Sequence, residues 1–203
     1  TVDSIAEIRI KLNPKDSVDR WSFSRLKLLG YAEHPKVIPL LKLGNSSFLH
    51  PIYDSVTSTY TYLLSVPMDS LNLIISQTDT ILHRFTLTGF LLENDEPGIV
   101  YHSIGVNGAS VPSYLSCPNF ERDLSLIRPD MVIFAIGIND AIPQNFSKNN
   151  FIANYDSLLS KFRNVSPDCF FVFVSNNDSY RKIKRRYRRT RYQLNTNGVL
   201  ARE

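Results

Sequence analysis

The chain has 203 residues, 43% hydrophobic and 21% charged, enough for one large domain or two small ones with a real core. No apolar run reaches the length of a membrane span, so a spanning protein is not expected. The formal charge of +4 is lopsided: Arg181 to Arg191 holds eight basic residues, whereas residues 1–180 hold 14 basic and 18 acidic, and a nucleic-acid partner, which usually meets cations spread over a folded face, is not expected.

The first half reads as β. Ala6 to Leu12 alternates apolar and charged residues, as a half-buried strand does. Trp21 to Leu29 is a second such stretch. Val37 to Leu43 is a third, and Pro39 within it argues for an edge strand. Tyr60 to Val66 and Leu71 to Ile75 follow, separated by the turn composition Pro67-Met68-Asp69-Ser70. His83 to Leu92 closes the series. Short strands with turn signals at modest spacing predict a β-sandwich over residues 1–97.

The character changes at Glu93 to Gly98, which is polar and turn-rich, and a domain boundary is expected there. Ile99 to Ile104 reads as a short strand ending at a Gly-rich loop. Ser113 to Leu126 reads as helical, with Pro118 inside it. Met131 to Ile136 is continuously apolar, as a strand covered on both faces must be. Ser147 is an N-cap for a helix carrying Phe151, Ile152, Tyr155, Leu158, Leu159 and Phe162 at helical spacing. Cys169 to Val174 is another buried strand. Strand, helix, strand, helix, strand is the pattern of a parallel α/β sheet, whose sites lie at the C-terminal strand ends. Cys117 and Cys169 are too few and too far apart for a disulfide framework or a metal site and are expected as buried free thiols.

Two loops at those strand ends carry the chemistry. In Gly137-Ile138-Asn139-Asp140, Gly lets the backbone turn sharply. Asn139 can aim an amide N–H at a developing oxyanion, and Asp140 can brace the loop by accepting from backbone donors. Taken alone, this loop is better accounted for by a plain Asx-turn. In Gly105-Val106-Asn107-Gly108-Ala109, glycine permits positive φ and leaves a backbone N–H open to a ligand. Together, two such loops on successive parallel strands converge on one place.

Gly-x-Asn-Gly-Ala about thirty residues before a buried strand ending in Gly-x-Asn-Asp resembles the second and third conserved blocks of the SGNH/GDSL hydrolases. The resemblance extends through Tyr101-His102-Ser103-Ile104 and Asn177-Asp178-Ser179-Tyr180 and covers roughly residues 98–180. It implies a partial, flavodoxin-like three-layer α/β/α domain over residues 98–203, preceded by a jelly-roll-like sandwich of the kind that envelope carbohydrate and peptidoglycan O-acetylesterases can insert. It implies a serine esterase acting on small acyl esters, O-acetyl groups on a glycan or peptidoglycan, in the periplasm or outside the cell, with no cofactor and no metal. Gly108 would give a backbone N–H to the oxyanion hole and Asn139 a side-chain amide, with Gly105, Asn107, Gly137 and Asp140 in support.

The sequence departs from that pattern at both ends. No Gly-Asp-Ser occurs, and the nearest imitation is Gly44-Asn45-Ser46, which makes Ser46 a weak candidate nucleophile. The Asp-x-x-His block lies in the family beyond the point where this chain stops at Glu203. Serine without a base is a poor nucleophile, since its proton has nowhere to go. Of the four histidines, His34 and His50 precede prolines and read as loop residues, and His83 opens a β-like run. Only His102, in the strand before the Gly loop, lies near the site, and no pair has metal-ligand spacing. Residue 1 is Thr and no secretory signal is recognisable, so location is inferred from the resemblance alone.

Two other readings stay open. One is a carbohydrate-binding module with Trp21, Tyr53, Tyr60 and Tyr62 as sugar platforms; the other is a catalytically incomplete pseudo-esterase. The run from Arg181 to Arg191 is expected as a solvated loop or helix.

Overall fold

The computed structural model describes residues 5–13, 15, 18, 20–44, 46–77, 81, 83–185 and 188–202. The chain divides into two compact units, Thr1–Val100 and Tyr101–Glu203.

The first unit is all β. Its strands are β1 (Ile5–Lys11), β2 (Phe23–Ala32), β3 (Val37–Leu43), β4 (Ser47–Leu49), β5 (Ile52–Asp54), β6 (Thr59–Met68), β7 (Ser70–Gln77) and β8 (Phe85–Glu93). They form two four-stranded antiparallel sheets, ordered β1-β7-β3-β4 and β5-β6-β2-β8. One core joins them: Phe23, Leu26 and Leu28 from β2 and Tyr60 and Tyr62 from β6 meet Val37 and Leu41 from β3 and Leu71, Leu73 and Ile75 from β7. On β7 the buried residues alternate with half-buried Asn72 and Ile74, the period of a pleated strand with one face inward. Each fully buried leucine contributes roughly 1.5–3 kcal/mol against exposure.

Pro39 does not mark an edge strand. β3 lies between β7 and β4, and Pro39 pairs with Ile75. The reason is that β4 reaches only Leu41 to Leu43, so the missing N–H of Pro39 costs no ladder bond on that side. Its carbonyl accepts the buried Tyr62 hydroxyl at 2.8 Å, a polar stitch from one sheet to the other. Burial pushes the Tyr62 phenol far above its ordinary value. Tyr62→Phe is therefore expected to cost about 1–2 kcal/mol in urea unfolding, the penalty of an unsatisfied buried carbonyl. A change below about 0.3 kcal/mol would show that the bond stabilises nothing. Gly30 sits where β2 shifts register against β8, and any Cβ there would run into the Thr86 carbonyl. Tyr60 and Tyr62 are core residues, not sugar platforms, while Trp21 and Tyr53 stand 41% and 48% exposed.

The second unit is mixed. Its elements are α1 (Val111–Leu115), α2 (Phe120–Ile127), β9 (Met131–Phe134), α3 (Lys148–Val165), β10 (Phe170–Phe173), β11 (Tyr180–Arg185), β12 (Arg188–Leu194) and α4 (Thr196–Arg202). β9 and β10 pair in parallel, Met131 with Phe170 through Phe134 with Phe173. Val111, Leu124, Phe134, Leu158 and Phe162 form the core, with Val132 and Phe171 packed against it. Phe134 is its hub: its ring lies 5.5 Å from Phe162, 5.9 Å from Tyr155, 5.8 Å from Phe171 and 5.3 Å from Phe173. The Ser147 hydroxyl caps α3, accepting from the Asn150 N–H.

Several expectations need correction here. Residues 99–104 form no strand and lie exposed, so His102 is a loop residue. The single helix expected over 113–126 is two, parted around Pro118, because proline removes a helical donor and clashes with the preceding turn. β9 is covered on one face only: Val132 and Phe134 turn toward the helices, while Met131 and Ile133 are more than half exposed. A third layer is not seen among the described residues. Where it is described, the basic run is not the expected loop or helix but an antiparallel ribbon, β11 against β12, and Arg186 and Tyr187 lie outside the described residues. Cys117 is exposed and Cys169 half-buried, so neither is a fully buried thiol.

Candidate functional site

The C-terminal edge of the β9–β10 pair is where the loops of the second unit meet. β9 runs into Gly137, whose φ of +131° lies in the region that side chains avoid. A Cβ at Gly137 would stand 2.6 Å from Asn176 Nδ2 and 3.0 Å from the Phe151 ring, so the loop after β10 presses against it. The Gly137 carbonyl accepts from the Ala141 N–H at 3.1 Å, closing one turn over Ile138, Asn139 and Asp140.

The Gly-rich loop comes from the other side. Val106 to Ala109 is a β-turn closed by the Ala109 N–H on the Val106 carbonyl at 3.0 Å. Gly108 occupies its third position with φ +81°, as a type II turn requires. Because Ala109 donates the closing bond, the turn does not consume the Gly108 N–H. The Tyr114 hydroxyl holds the start of this loop through the Ile104 carbonyl at 2.9 Å.

Two side chains join the loops. Asn139 Nδ2 donates to the Ala109 carbonyl at 2.8 Å. That bond uses one of the two amide hydrogens and fixes the direction of the other. Both carboxylate oxygens of Asp140 accept from the Val111 N–H, at 3.1 and 3.2 Å. Gly108, Asn139, Gly137 and Asp140 thus belong to one cluster. Gly105 and Asn107 are exposed parts of the same loop.

Burial pushes the Asp140 carboxyl above its ordinary value of 3.8, and the Val111 N–H holds it back. Tyr155, whose hydroxyl donates to the Ile136 carbonyl at 2.8 Å, is pushed up to about 12, by burial first and then by the Asp140 charge. The raised Asp140 value has a consequence for stability. Between 3.8 and its folded value, the native state holds more proton than the unfolded chain, so stability falls as pH rises through that window. Wild type is expected to gain on Asp140→Asn as pH drops from 7 toward 4. Urea midpoints of the two proteins moving in parallel over that range would count against this sign.

A cavity of about 430 Å³ adjoins Gly137, lined among others by Ile136, Phe151, Tyr155, Phe173, Asn176 and Arg202. Its lining is mixed, aromatic from Phe151, Tyr155 and Phe173 and polar from Asn176 and Arg202. Among the described residues no cluster of His, Cys, Asp and Glu is placed to hold a metal ion.

Other sequence candidates lie elsewhere. Ser46 is exposed in the hairpin between β3 and β4, after Gly44 with φ +63°, not at a strand-to-helix turn. His34 and His83 stack with ring centroids 4.3 Å apart in the first unit. His50 and His102 are exposed. Sequence reasoning missed Asn195 and Asn197. Buried Asn195 donates through Nδ2 to the Ala141 carbonyl at 3.1 Å, and Asn197 to the Pro143 carbonyl at 2.8 Å, so both hold the far end of the Asn139 loop. A lone Asn just before or within the first turn of a short helix carries no pattern that would have found them.

No family model matches the chain, and no curated protein matches it. A solved structure of a peptidoglycan O-acetylesterase superposes with a TM-score of 0.53 at 14% identity over 88% of this chain. That match covers 55% of the solved chain, so these residues span about half its length. The likeness is one of fold: a small parallel α/β portion together with antiparallel sheets. No helix among the described residues is long and apolar enough to cross a membrane.

Proposed function

We propose that this chain carries the oxyanion-binding half of a serine esterase of the SGNH/GDSL type, acting on O-acetyl groups of a glycan such as peptidoglycan. The observation that carries this reading is the Asn139 to Ala109 bond, which leaves one Asn139 N–H and the Gly108 N–H uncommitted beside each other's loops. A tetrahedral intermediate places negative charge on the former carbonyl oxygen. Donors fixed before the reaction stabilise that charge without reorganising. Asp140 keeps the two loops together, and Gly108 and Gly137 let the backbone turn at positive φ. The superposition on a peptidoglycan O-acetylesterase supports the substrate class.

The nucleophile is a serine whose proton passes to a histidine. No residue of this chain is assigned to either role, since Gly-Asp-Ser is absent and Ser46 sits in a hairpin. Residues 1–97 are read as a glycan-binding sandwich and 98–203 as the hydrolase portion. An acetylated envelope glycan as substrate places the action in the periplasm or outside the cell. Exposed Trp21 and Tyr53 favour glycan contact by the first unit under either an active or an incomplete esterase.

The test is acetate release from O-acetylated peptidoglycan by the full natural polypeptide containing these residues. Fluorophosphonate labelling with peptide mapping would then identify the nucleophile. No acetate above the buffer rate on peptidoglycan, acetylated xylan or p-nitrophenyl acetate would sink the esterase reading.

A further inference from the structure

The ribbon β11–β12 is rooted in the candidate site. At its base the Asn195 N–H donates to the Ser179 carbonyl at 2.7 Å, while the Asn195 side chain reaches the Ala141 carbonyl. Ala141 directly follows Asp140, and Asn197 holds Pro143 two residues on. The ribbon and the Asn139 loop therefore share a buried anchor.

From that anchor the ribbon carries charge of one sign. Arg181 to Arg191 holds eight basic residues, and no Asp or Glu occurs between Ser179 and Ala201. The nearest acid, Asp178, is paired with Arg202 at 2.8 Å. The pairing of Tyr180 with Leu194 and of Lys182 with Tyr192 sets these four residues on one face. Tyr180 and Tyr192 are 62% and 67% exposed. Exposed Tyr180 and Tyr192 rings with Lys182 on the same face, in a segment of dense positive charge, fit a ligand that offers flat, weakly apolar sugar faces and carboxylates in alternation. Nucleic acid offers stacked rings and charge as well. It fits worse here, because the remainder of the chain is net acidic and because nucleic acid carries no acyl ester for the adjoining loops.

We propose that the ribbon Tyr180–Leu194 is the polymer-holding surface of the esterase site and that its ligand is an acidic glycan, a sugar chain bearing carboxylates along its length. This rests on the esterase reading for its chemistry but not for its binding test. The experiment is affinity gel retardation and calorimetry with partly acetylated polygalacturonate against neutral acetylated xylan of equal size. The expected result is at least about tenfold tighter binding of the acidic polymer, lost when salt rises from about 50 to 300 mM as exposed charges are screened. Arg188→Gln/Arg189→Gln/Arg191→Gln is expected to weaken that binding about tenfold. Tyr180→Ser/Tyr192→Ser, which leaves the charge alone, is expected to weaken it several-fold, with circular dichroism checking that each variant folds. Equal binding of the two glycans would overturn the inference. So would duplex DNA bound as tightly as the acidic glycan, which would mark a bare polycation. Retained acidic-glycan binding with no ester hydrolysis would remove the esterase reading and leave the ribbon as a glycan surface. Equal kcat/KM on acidic and neutral esters would do the reverse.

Discussion

Asn139→Ala is expected to slow acetate release by about two to three decades, roughly 3–4 kcal/mol of transition-state stabilisation. The effect follows from what the side chain already does at rest. One amide hydrogen is committed to the Ala109 carbonyl at 2.8 Å, so the other is held in a set direction before substrate arrives. A donor that meets charge only as it develops changes kcat more than KM. Loss of the resting bond costs about 1 kcal/mol of stability, too little to unfold a domain. Asn139→Asp separates the roles further: it keeps the size, removes both donors and sets a charge beside the Ala109 carbonyl. Equal kcat in wild type and Asn139→Ala would reduce the Asn139 loop to a structural turn. A proportionate fall in folded protein would show that only its stability term matters.

Gly137→Ala is expected to destabilise the second unit by about 3 kcal/mol or more. Two independent penalties act there. A φ of +131° is nearly closed to any residue with a Cβ, at about 1–3 kcal/mol. The added methyl would also stand 2.6 Å from Asn176 Nδ2 and 3.0 Å from Phe151, and such crowding costs about 1–3 kcal/mol. Gly137→Ala/Asn176→Ala relieves the amide clash but neither the φ strain nor the ring contact. The double variant should therefore recover part of the loss and not all of it. Urea midpoints measure this, and a single variant within about 1 kcal/mol of wild type would show that the loop yields freely.

How much was readable beforehand follows the strength of local patterning. β1 alternates in the sequence, and its exposed and half-buried residues alternate in the structure. α3 announced itself through Ser147 and the spacing of Phe151, Tyr155, Leu158 and Phe162. Pro39 misled because a rule about strand edges was applied to a whole strand, when only the donor at one residue matters. The apolar run at Met131 predicted cover on both faces, but a run of hydrophobic residues says only that cover is wanted. The ribbon was invisible because charge density hid any alternation, and Tyr180, Lys182 and Tyr192 align only once the register is known. At the site, the two Gly/Asn loops could be picked out one by one. Their bonds to one another, Asn139 to Ala109 and Asp140 to Val111, join residues about thirty apart and have no local signature.

The outward rows of the parallel pair bear on how this polypeptide behaves in a test tube. Met131 and Ile133 lie in register with Phe170 and Val172, two apolar rows side by side on short strands that pair only with each other among the described residues. Strand edges with free donors and acceptors and greasy flanks are templates for further strands. Prepared as these 203 residues alone, the protein would carry a seed for aggregation in its α/β half.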